Sequence, residues 1–386
     1  MLELRSLILG HSDLLRPIDV PFPTVLQQCH TEKGSVYFRR MAYGMPKLGQ
    51  YTQLLRTVFF LYPTRKDAEQ GSSSGGTGFL VAVPTKRWPT QVHHVHAITN
   101  YHVAVFNDKS SPSPVIKVAH SDGQPEYVEL DPFDWVFRPN SFDIAISPPL
   151  DFSPSAGLAF LEFNSYLLTE AEEKRDEIGA ADDVMMIGRF VDYQGVETNA
   201  PAVRFGHISI LDAHIKQRTG YVGRSIVLDM HSRSGFSGSP VFIYRTLGSH
   251  FLEEKPNSIL IGGGHYFKLL GIHWGQFPEL WELKNKYGVK SSAQREAALV
   301  EDGQYVEGLS GMTLVIPSAN IRDILYLPEL EAMRDKREDE ILRVYGSQLA
   351  TAPKAESAAP KDKNPKHKED FNSLLDKAVT RKKSKG

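Results

Sequence analysis

Three side chains of this sequence have the types and the order that nucleophilic catalysis by a serine requires. They are His102, Asp143 and Ser237, separated by 41 residues (143 minus 102) and by 94 residues (237 minus 143). A serine hydroxyl is a poor nucleophile until a neighbouring histidine takes its proton, and that histidine needs an anion that fixes its tautomer and stabilises its charged form. The sequence therefore predicts Ser237 as the nucleophile, His102 as its base and Asp143 as the anion.

The residues that flank His102 and Asp143 suit these roles. His102 follows the strand-like run Val95–Thr99, which can deliver an imidazole to the edge of a sheet. Asp143 precedes the apolar run Ile144–Ile146, where a buried carboxylate is costly unless it has a partner such as a histidine. The two neighbourhoods therefore favour a buried His–Asp pair.

Glycines surround the predicted nucleophile. Gly235 and Gly238 permit a tight loop, in which the backbone N–H groups of Gly235 and Ser237 can converge on one point. Convergent N–H donors are what the negatively charged oxygen of a tetrahedral intermediate needs. The segment therefore predicts an oxyanion hole formed by Gly235 and Ser237.

Short runs of β-branched and aromatic residues fill the sequence between about residues 54 and 325. Examples are Phe79–Val83, His207–Leu211 and Thr313–Ile316, and clusters of Gly, Pro, Asn and Asp separate such runs. Many short strands without alternating long helices are typical of an all-β barrel or sandwich. A short connecting helix is expected at 167–175.

The two ends of the chain differ from this strand-rich part. Residues 1–50 are expected to be an irregular extension, because four prolines interrupt them. A charged helix is expected over 328–350, starting at Pro328. Residues 351–386 carry ten Lys or Arg against five Asp or Glu, which predicts a disordered basic tail. Its amphipathic motif, Phe371–Ala378, is either a transient helix or a peptide that docks in the groove of a partner protein.

The motifs together resemble the trypsin-like (chymotrypsin-fold) serine peptidases, closer to the disulfide-free bacterial and Deg-type members than to digestive enzymes. The family pattern around the nucleophile, GxSGGP, is similar to Gly235–Pro240. The patterns TAxH or TNxH and DIAx are similar to Thr99–His102 and Asp143–Ile146. The patterns of an early strand and of the closing strand are similar to Gly76–Val81 and Gly311–Pro317.

The resemblance implies an all-β fold of two antiparallel six-stranded β-barrels within 51–327, the first at about 54–160 and the second at about 180–325. His102 and Asp143 would come from the first barrel and Ser237 from the second. The implied activity is that of a serine endopeptidase with regulated or restricted specificity, acting on protein or peptide substrates. Neither a metal nor an organic cofactor is implied.

The resemblance also points to a substrate pocket. His231 lies six residues before Ser237 (237 minus 231), where the family places the residue at the base of the pocket. His273, Trp274 and Gly275 resemble the strand that lines the pocket and pairs with the substrate backbone. A histidine at this place resembles peptidases that cleave after Glu or Gln, so cleavage after Glu, Gln or Asp is one hypothesis. The alternative is that His231 and His273 only pack.

Two features depart from the family pattern. Phe236 stands where many members have Asp or Asn, so a zymogen switch that depends on such a residue is not expected. Residues 276–308 look like a long charged insertion beside the pocket, which leaves the pocket walls undefined. No PDZ-sized module follows the barrels, so Deg-like regulation through such a module is not expected.

Other classes of protein fit less well. The α/β-hydrolase esterases need Gly-x-Ser-x-Gly and the order Ser, acid, His, whereas Ser239 occupies the last position of that motif here and the order is His, Asp, Ser. A catalytically silent trypsin-like module that binds peptides or partner proteins is the alternative to an enzyme. The histidine-rich run Val92–His96 has no carboxylate visibly fixed beside it, so a metal site is not expected.

Composition and charge place the chain in a cellular context. The single cysteine, Cys29, excludes an internal disulfide, which suits a reducing cytosol. The formal net charge of -2 gives no excess that points to nucleic acid or to an anionic membrane surface. No window of the sequence approaches the roughly 20 apolar residues that a membrane span needs. We therefore expect a cytoplasmic protein.

Overall fold

A computed structural model gives the fold of this chain. It describes residues 26–31, 34–39, 50–72, 75–90, 92–106, 112–119, 125–152, 158–191, 199–245, 266–282 and 305–351. The chain divides into two compact units, residues 1–338 and 339–386. The strands and the candidate site belong to the first unit, and only a helical segment of the second is described. The basic tail beyond residue 351, with its amphipathic motif, lies outside the described residues.

A two-stranded ribbon stands where irregular structure was expected within residues 1–50. Strand β1 (Leu26–Thr31) pairs antiparallel with β2 (Gly34–Arg39), from the pair Leu26–Arg39 to the pair Thr31–Gly34. Strand β2 contains the sequence VYF, and β-branched and aromatic residues favour strands. The prolines noted above all lie outside these two strands, so they do not interrupt the pairing.

The first half of the chain forms a seven-stranded sheet. Its strands are β3 (Val58–Tyr62), β4 (Gly76–Pro84), β5 (His93–Thr99), β6 (Val115–Ala119), β7 (Pro125–Glu129), β8 (Ala145–Ile146) and β9 (Leu161–Glu162). The order is β7-β6-β3-β4-β5-β8, and β9 pairs in parallel with β4. Over the described residues this sheet is open rather than a closed six-stranded barrel, because β8 has two residues and pairs as a strand only with β5.

The second half forms a closed six-stranded antiparallel barrel, as predicted. Its strands are β10 (Asp183–Gly188), β11 (Ala202–Lys216), β12 (Val222–Asp229), β13 (Pro240–Arg245), β14 (Tyr266–Glu282) and β15 (Tyr305–Pro317). The order around the barrel is β10-β11-β12-β15-β14-β13. The expected insertion at 276–308 begins as a continuation of β14 and ends within β15, while residues 283–304 lie outside the described part. The prediction of an all-β fold is therefore confirmed.

Short helices connect and follow the strands. They are α1 (Gln50–Leu55), α2 (Arg65–Gln70), α3 (Tyr101–Ala104), α4 (Phe163–Tyr166), α5 (Glu170–Arg175), α6 (Ser318–Leu325) and α7 (Pro328–Thr351). Helix α5 occupies the segment where a connecting helix was expected, and a capping box between Thr169 and Glu172 fixes its start. Helix α7 begins at Pro328, because proline suits the first position of a helix and not its interior.

One hydrophobic core is shared by the sheet and the barrel. Phe60, Phe79 and Ile98 of the sheet are fully buried in the same cluster as Trp274 and Ile316 of the barrel. Fully burying an aromatic or aliphatic side chain stabilises a fold by about 1.5–3 kcal/mol. The sheet and the barrel therefore pack on each other through one apolar core.

The histidine-rich segment of β5 packs against α7. The ring of His94 donates from Nε2 to Oε1 of the buried Glu338 at 3.3 Å. The ring of His96 donates from Nδ1 to the carbonyl of Ser147 at 2.8 Å and accepts from Nη1 of Arg334 at 3.4 Å. In the described part of the chain no group of three or more His, Cys, Asp or Glu side chains is arranged to hold a metal ion. These histidines are therefore structural parts of the first unit.

Two of the three buried histidines of β5, His94 and His96, predict that folding is sensitive to acid. Burial is the main cause that lowers the pKa of His94 from 6.5 to about 2 and that of His96 to about 3, and Arg334 and Arg337 lower both further. Below about pH 6.5 these two histidines bind protons in the unfolded chain but stay neutral in the folded chain. The free energy of unfolding should therefore fall as the pH drops below 6.5, by up to about 1.4 kcal/mol per pH unit for each histidine.

Urea unfolding at pH 7.5 and pH 5.0 measures this effect. The double variant His94→Gln, His96→Gln should lose less stability between the two pH values than the unaltered protein does. The variant His207→Gln is the matched control for the substitution itself, because the His207 side chain is 59% exposed. Equal stability of the unaltered protein at both pH values would contradict the prediction.

Candidate active site

His102 and Asp143 form a buried pair at the end of β5. The Nδ1 atom of His102 lies 2.5 Å from Oδ2 of Asp143, and the backbone N–H of His102 donates to Oδ1 of the same carboxylate at 2.9 Å. Asp143 is fully buried and His102 is 6% exposed. Because a carboxylate only accepts, the proton of the neutral imidazole lies on Nδ1. The Nε2 atom is left as the basic nitrogen.

The backbone of Asp143 is held from both halves of the unit. Its carbonyl accepts from Nδ2 of Asn100 at 2.8 Å, and its N–H donates to Oε1 of Gln217 at 2.8 Å. Asn100 precedes α3 in the sheet half, whereas Gln217 directly follows β11 of the barrel. The carboxylate therefore has a fixed position relative to both halves. Gln217 was missed from the sequence, where no local pattern marks it.

The loop that carries Ser237 has the backbone shape that its glycines suggested. Gly235 and Gly238 have φ angles of +94° and +88°, a region that side chains disfavour. A Cβ atom on Gly238 would collide with the carbonyl of Thr77, and one on Gly235 would lie 2.6 Å from Cγ1 of Val191. Both positions therefore require glycine for conformation and for space.

The loop exposes one of its two serines. Ser237 is half-buried, whereas Ser239 is fully buried. The Ser239 hydroxyl faces β10, since a Cβ atom on Gly188 would collide with it. Ser237 is therefore the serine that a substrate can reach.

The backbone of the loop presents two unused donors. The N–H groups of Phe236 and Gly238 donate to backbone carbonyls at 3.2 and 2.9 Å. Within the described residues, the N–H groups of Gly235 and Ser237 make no hydrogen bond. These two are the donors that the sequence assigned to an oxyanion hole.

Thr77 clamps the serine loop to the strand that leads to His102. Its N–H donates to the carbonyl of Ser237 at 2.8 Å, and its hydroxyl donates to the carbonyl of Gly235 at 2.6 Å. Its own carbonyl accepts from the hydroxyl of Thr99 at 2.7 Å. Thr99 ends β5, three residues before His102 (102 minus 99). Sequence motifs include Thr77 but do not reveal this role.

Gly76 lies where the serine and histidine segments meet. A Cβ atom built on it would lie 2.9 Å from the carbonyl oxygen of Ser237 and 2.9 Å from Cγ1 of Val103. Val103 directly follows His102. The structure therefore brings the backbone of Ser237 and the residue after His102 close to the same glycine.

The strand predicted to line the pocket runs beside the serine loop. The N–H of His273 donates to the carbonyl of Ser239, and its carbonyl accepts from the N–H of Gly238, both at 2.9 Å. Trp274 is 5% exposed, whereas a Cβ atom on Gly275 would meet open space. Two of the three predicted pocket residues, His273 and Trp274, are thus buried, and Gly275 borders open space.

Ser232 rather than His231 meets His273. The Nε2 atom of His273 lies 2.6 Å from the Ser232 hydroxyl, and both residues are buried. Burial is the main cause that lowers the pKa of His273 to about 3. His231 is exposed, and its ring faces Gly311. Within this segment, Ser232 turns inward and His231 turns outward, which the sequence did not indicate.

Comparison with known proteins gives distant structural likenesses. No family model matches the sequence, and no curated protein matches it. The MamO protease domain from Magnetospirillum magneticum is 15% identical, over 71% of this chain and 97% of its own, with a TM-score of 0.34. Deg5 is 16% identical, over 58% of this chain and 82% of its own, with a TM-score of 0.35. The active form of the Rv3671c protease from M. tuberculosis is 15% identical, over 69% of this chain and 77% of its own, with a TM-score of 0.32.

Likenesses at this level do not assign a function, so the function must be inferred from the site itself. No helix within the described ranges is long and apolar enough to cross a membrane.

Removing the Thr77 hydroxyl tests the clamp. Thr77→Val keeps the shape of the side chain but removes the donor to Gly235, so the oxyanion donors lose a fixed position. We expect kcat on a peptide substrate to fall about 10- to 100-fold, the scale of a small misplacement of catalytic groups. The matched control is Thr57→Val, because the buried Thr57 hydroxyl donates to the carbonyl of Leu54 and not to the loop. An equal loss of kcat in both variants would contradict a specific role of Thr77.

Proposed function

We propose that this chain is a serine endopeptidase of the trypsin-like type, which cleaves protein or peptide substrates through an acyl-enzyme intermediate. The observation that supports this most directly is the pair of hydrogen bonds that His102 donates to the carboxylate of Asp143, one from its ring and one from its backbone N–H. A histidine held in this way keeps Nε2 free as a base. The backbone of Ser237 and the residue after His102 both lie close to Gly76.

The proposed reaction has two stages, formation of the acyl-enzyme and its hydrolysis, and the same groups act in both. The Ser237 hydroxyl attacks the carbonyl carbon of the substrate while Nε2 of His102 takes its proton, and Asp143 stabilises the resulting imidazolium. The N–H groups of Gly235 and Ser237 hold the oxyanion. The intermediate then expels the amine, which receives the proton from His102. Water, activated by the same histidine, hydrolyses the acyl-enzyme and frees the hydroxyl.

We place the substrate along β14. Backbone groups of Trp274 and Gly275 have no partner on the side that faces the serine loop within the described ranges, and a peptide can add there as an extra strand. For the residue before the cut we keep the hypothesis of Glu, Gln or Asp. Because the pKa of His273 is about 3, its ring is neutral at pH 7, which favours the neutral amide of Gln. A cleavage profile dominated by Leu, Val or Arg would remove this hypothesis.

A fluorophosphonate probe tests the proposed chemistry, because it modifies activated serines. Wild-type protein should be labelled on Ser237, and the variants Ser237→Ala and His102→Ala should not be labelled. Ser239→Ala is the matched control, and it should be labelled like the wild type. The absence of labelling under any activating condition would instead favour a silent module that binds peptides.

Two expectations stay predictions alongside this proposal. One is the cytoplasmic location, which rests on the single cysteine. The other is a protein partner for the basic tail: deletion of residues 351–386 should leave peptidase activity unchanged. Loss of a bound partner on deletion would support the docking role, and an unchanged set of partners would contradict it.

A further inference from the structure

Strand β14 continues well past the serine loop. It has 17 residues, from Tyr266 to Glu282. On one side, Tyr266–Ile272 pair with β13 and His273 bonds to the serine loop. From Trp274 to Glu282, nine residues (282 minus 274, plus 1), this same side makes no backbone hydrogen bond within the described part of the chain. Among the described residues, the side of β14 that adjoins the serine loop thus continues as an unpaired edge.

The opposite side of β14 is paired over the same length. Its partners on β15 run from Gly275–Leu314 to Glu282–Tyr305, with irregular register beside Gly275 and between Gln276 and Pro278. Strand β12 pairs with β15 only from Met312 to Val315. Beyond the barrel, β14 and β15 are therefore a two-stranded ribbon that holds the free edge of β14 in an extended shape.

An unpaired edge is a template for another extended chain, and its position decides which chain. This edge starts beside the serine loop and is continuous with the part of β14 proposed to pair with substrate. A peptide that adds antiparallel to Trp274–Gln276 extends toward Pro278–Glu282, past the irregular register between Gln276 and Pro278. At about 3.3 Å per residue, the nine residues span about 30 Å.

We propose that the edge of β14 from Gln276 to Glu282 binds the part of a polypeptide substrate that precedes the cleaved bond, over about nine residues in total. This inference rests on the proposed function and deepens it: the preferred substrate is a long extended segment rather than a short peptide. Phe277 and Glu279 are exposed and share one face of the strand. They favour an apolar side chain and a basic one, two positions apart, on the substrate.

Backbone hydrogen bonds provide most of this recognition. Pro278 indicates which residues of β14 direct their N–H and carbonyl groups to the free edge. A proline is tolerated in a ladder where its nitrogen faces away from the paired neighbour, so its nitrogen faces the free edge. By the two-residue alternation of a strand, Leu280 and Glu282 present their N–H and carbonyl groups to the same edge. Every second amide of the substrate therefore forms hydrogen bonds to the edge, and the amides between them face away. We call these two alternating sets of amides the two parities.

A series of fluorogenic peptides of four to twelve residues before the cut tests the inference. The residues next to the cut are those chosen by the enzyme from a peptide library, and the extension is a repeat of Thr and Ala. We expect kcat/KM to rise about tenfold or more, which corresponds to about 1.4 kcal/mol, from four to nine residues and then to stay constant. The reason is that each added pair of residues adds backbone hydrogen bonds to the edge.

N-methylated peptides separate backbone pairing from other effects. Methylation of extension amides of one parity should return kcat/KM to the value of the short peptide, and methylation of the other parity, the matched control, should not. Binding of the same peptides to Ser237→Ala, measured by fluorescence anisotropy, should show the same length dependence without any catalysis.

The outcomes distinguish this inference from the proposed function. If short peptides are cleaved and bound as well as long ones, the proposed role of the edge is wrong, whereas the proposed peptidase activity is supported. If no peptide is cleaved while Ser237→Ala binds long peptides better, the peptidase fails and the edge remains a binding surface. If binding is independent of length and the protein is dimeric in solution, the edge belongs to a second copy and the inference is overturned.

Discussion

Replacement of either Ser237 or His102 by alanine should lower kcat by about 10⁶-fold, and the double replacement should lower it no further. Proton transfer from the hydroxyl to Nε2 is one event, so the loss of either participant removes the whole step. The rate that remains comes from backbone donors and substrate binding, which the two variants leave in place.

Kinetics on a sensitive fluorogenic peptide measure this non-additivity. Ser239→Ala serves as the control, because this serine is fully buried and faces the barrel, and its kcat should stay within a few-fold of the wild type. Losses that add in the double variant would mean that the two side chains act independently. That result would contradict a nucleophile–base pair.

Asp143→Asn should lower kcat by about 10⁴-fold. An asparagine can keep only one of the two acceptors that serve His102, one for the backbone N–H and one for the ring. If its oxygen binds the backbone, its amino group faces Nδ1 and forces the other tautomer, whose Nε2 carries a proton and cannot act as a base. The fold should survive, since the shape of the side chain is unchanged.

The control for this variant is Asp151→Asn. Asp151 is a partly exposed aspartate that pairs with Arg337, away from His102, so kcat should be nearly unchanged. A rate near that of the wild type for Asp143→Asn would contradict the proposed role of the carboxylate.

The local conformation of the candidate site could be predicted from sequence, because it depends on short-range features. Glycines at 235 and 238 mark the left-handed backbone of the serine loop, and the alternation of short apolar runs marks strands. Pro328 marks the start of α7. Each of these signals acts within a few residues of the feature that it predicts.

Contacts between distant segments could not be predicted in this way. Gln217 lies 74 residues from Asp143, and Thr77 lies 158 residues from Gly235, so only the packing of sheet against barrel reveals these bonds. The choice of Ser232 over His231 depends on which side of one segment turns inward. The length of β14 was hidden for a similar reason, since its outer part reads as a charged insertion and is recognised as a strand only by its pairing with β15.

The central claim is that Ser237 of this chain hydrolyses peptide bonds, and a map of newly formed termini tests it most directly. A peptide library prepared from a whole proteome is incubated with wild-type protein or with Ser237→Ala, and new amino termini are sequenced by mass spectrometry. The account predicts new termini with wild type alone, at bonds that share a preference for the preceding residue. The same termini with both proteins, or none with the wild type, would contradict it.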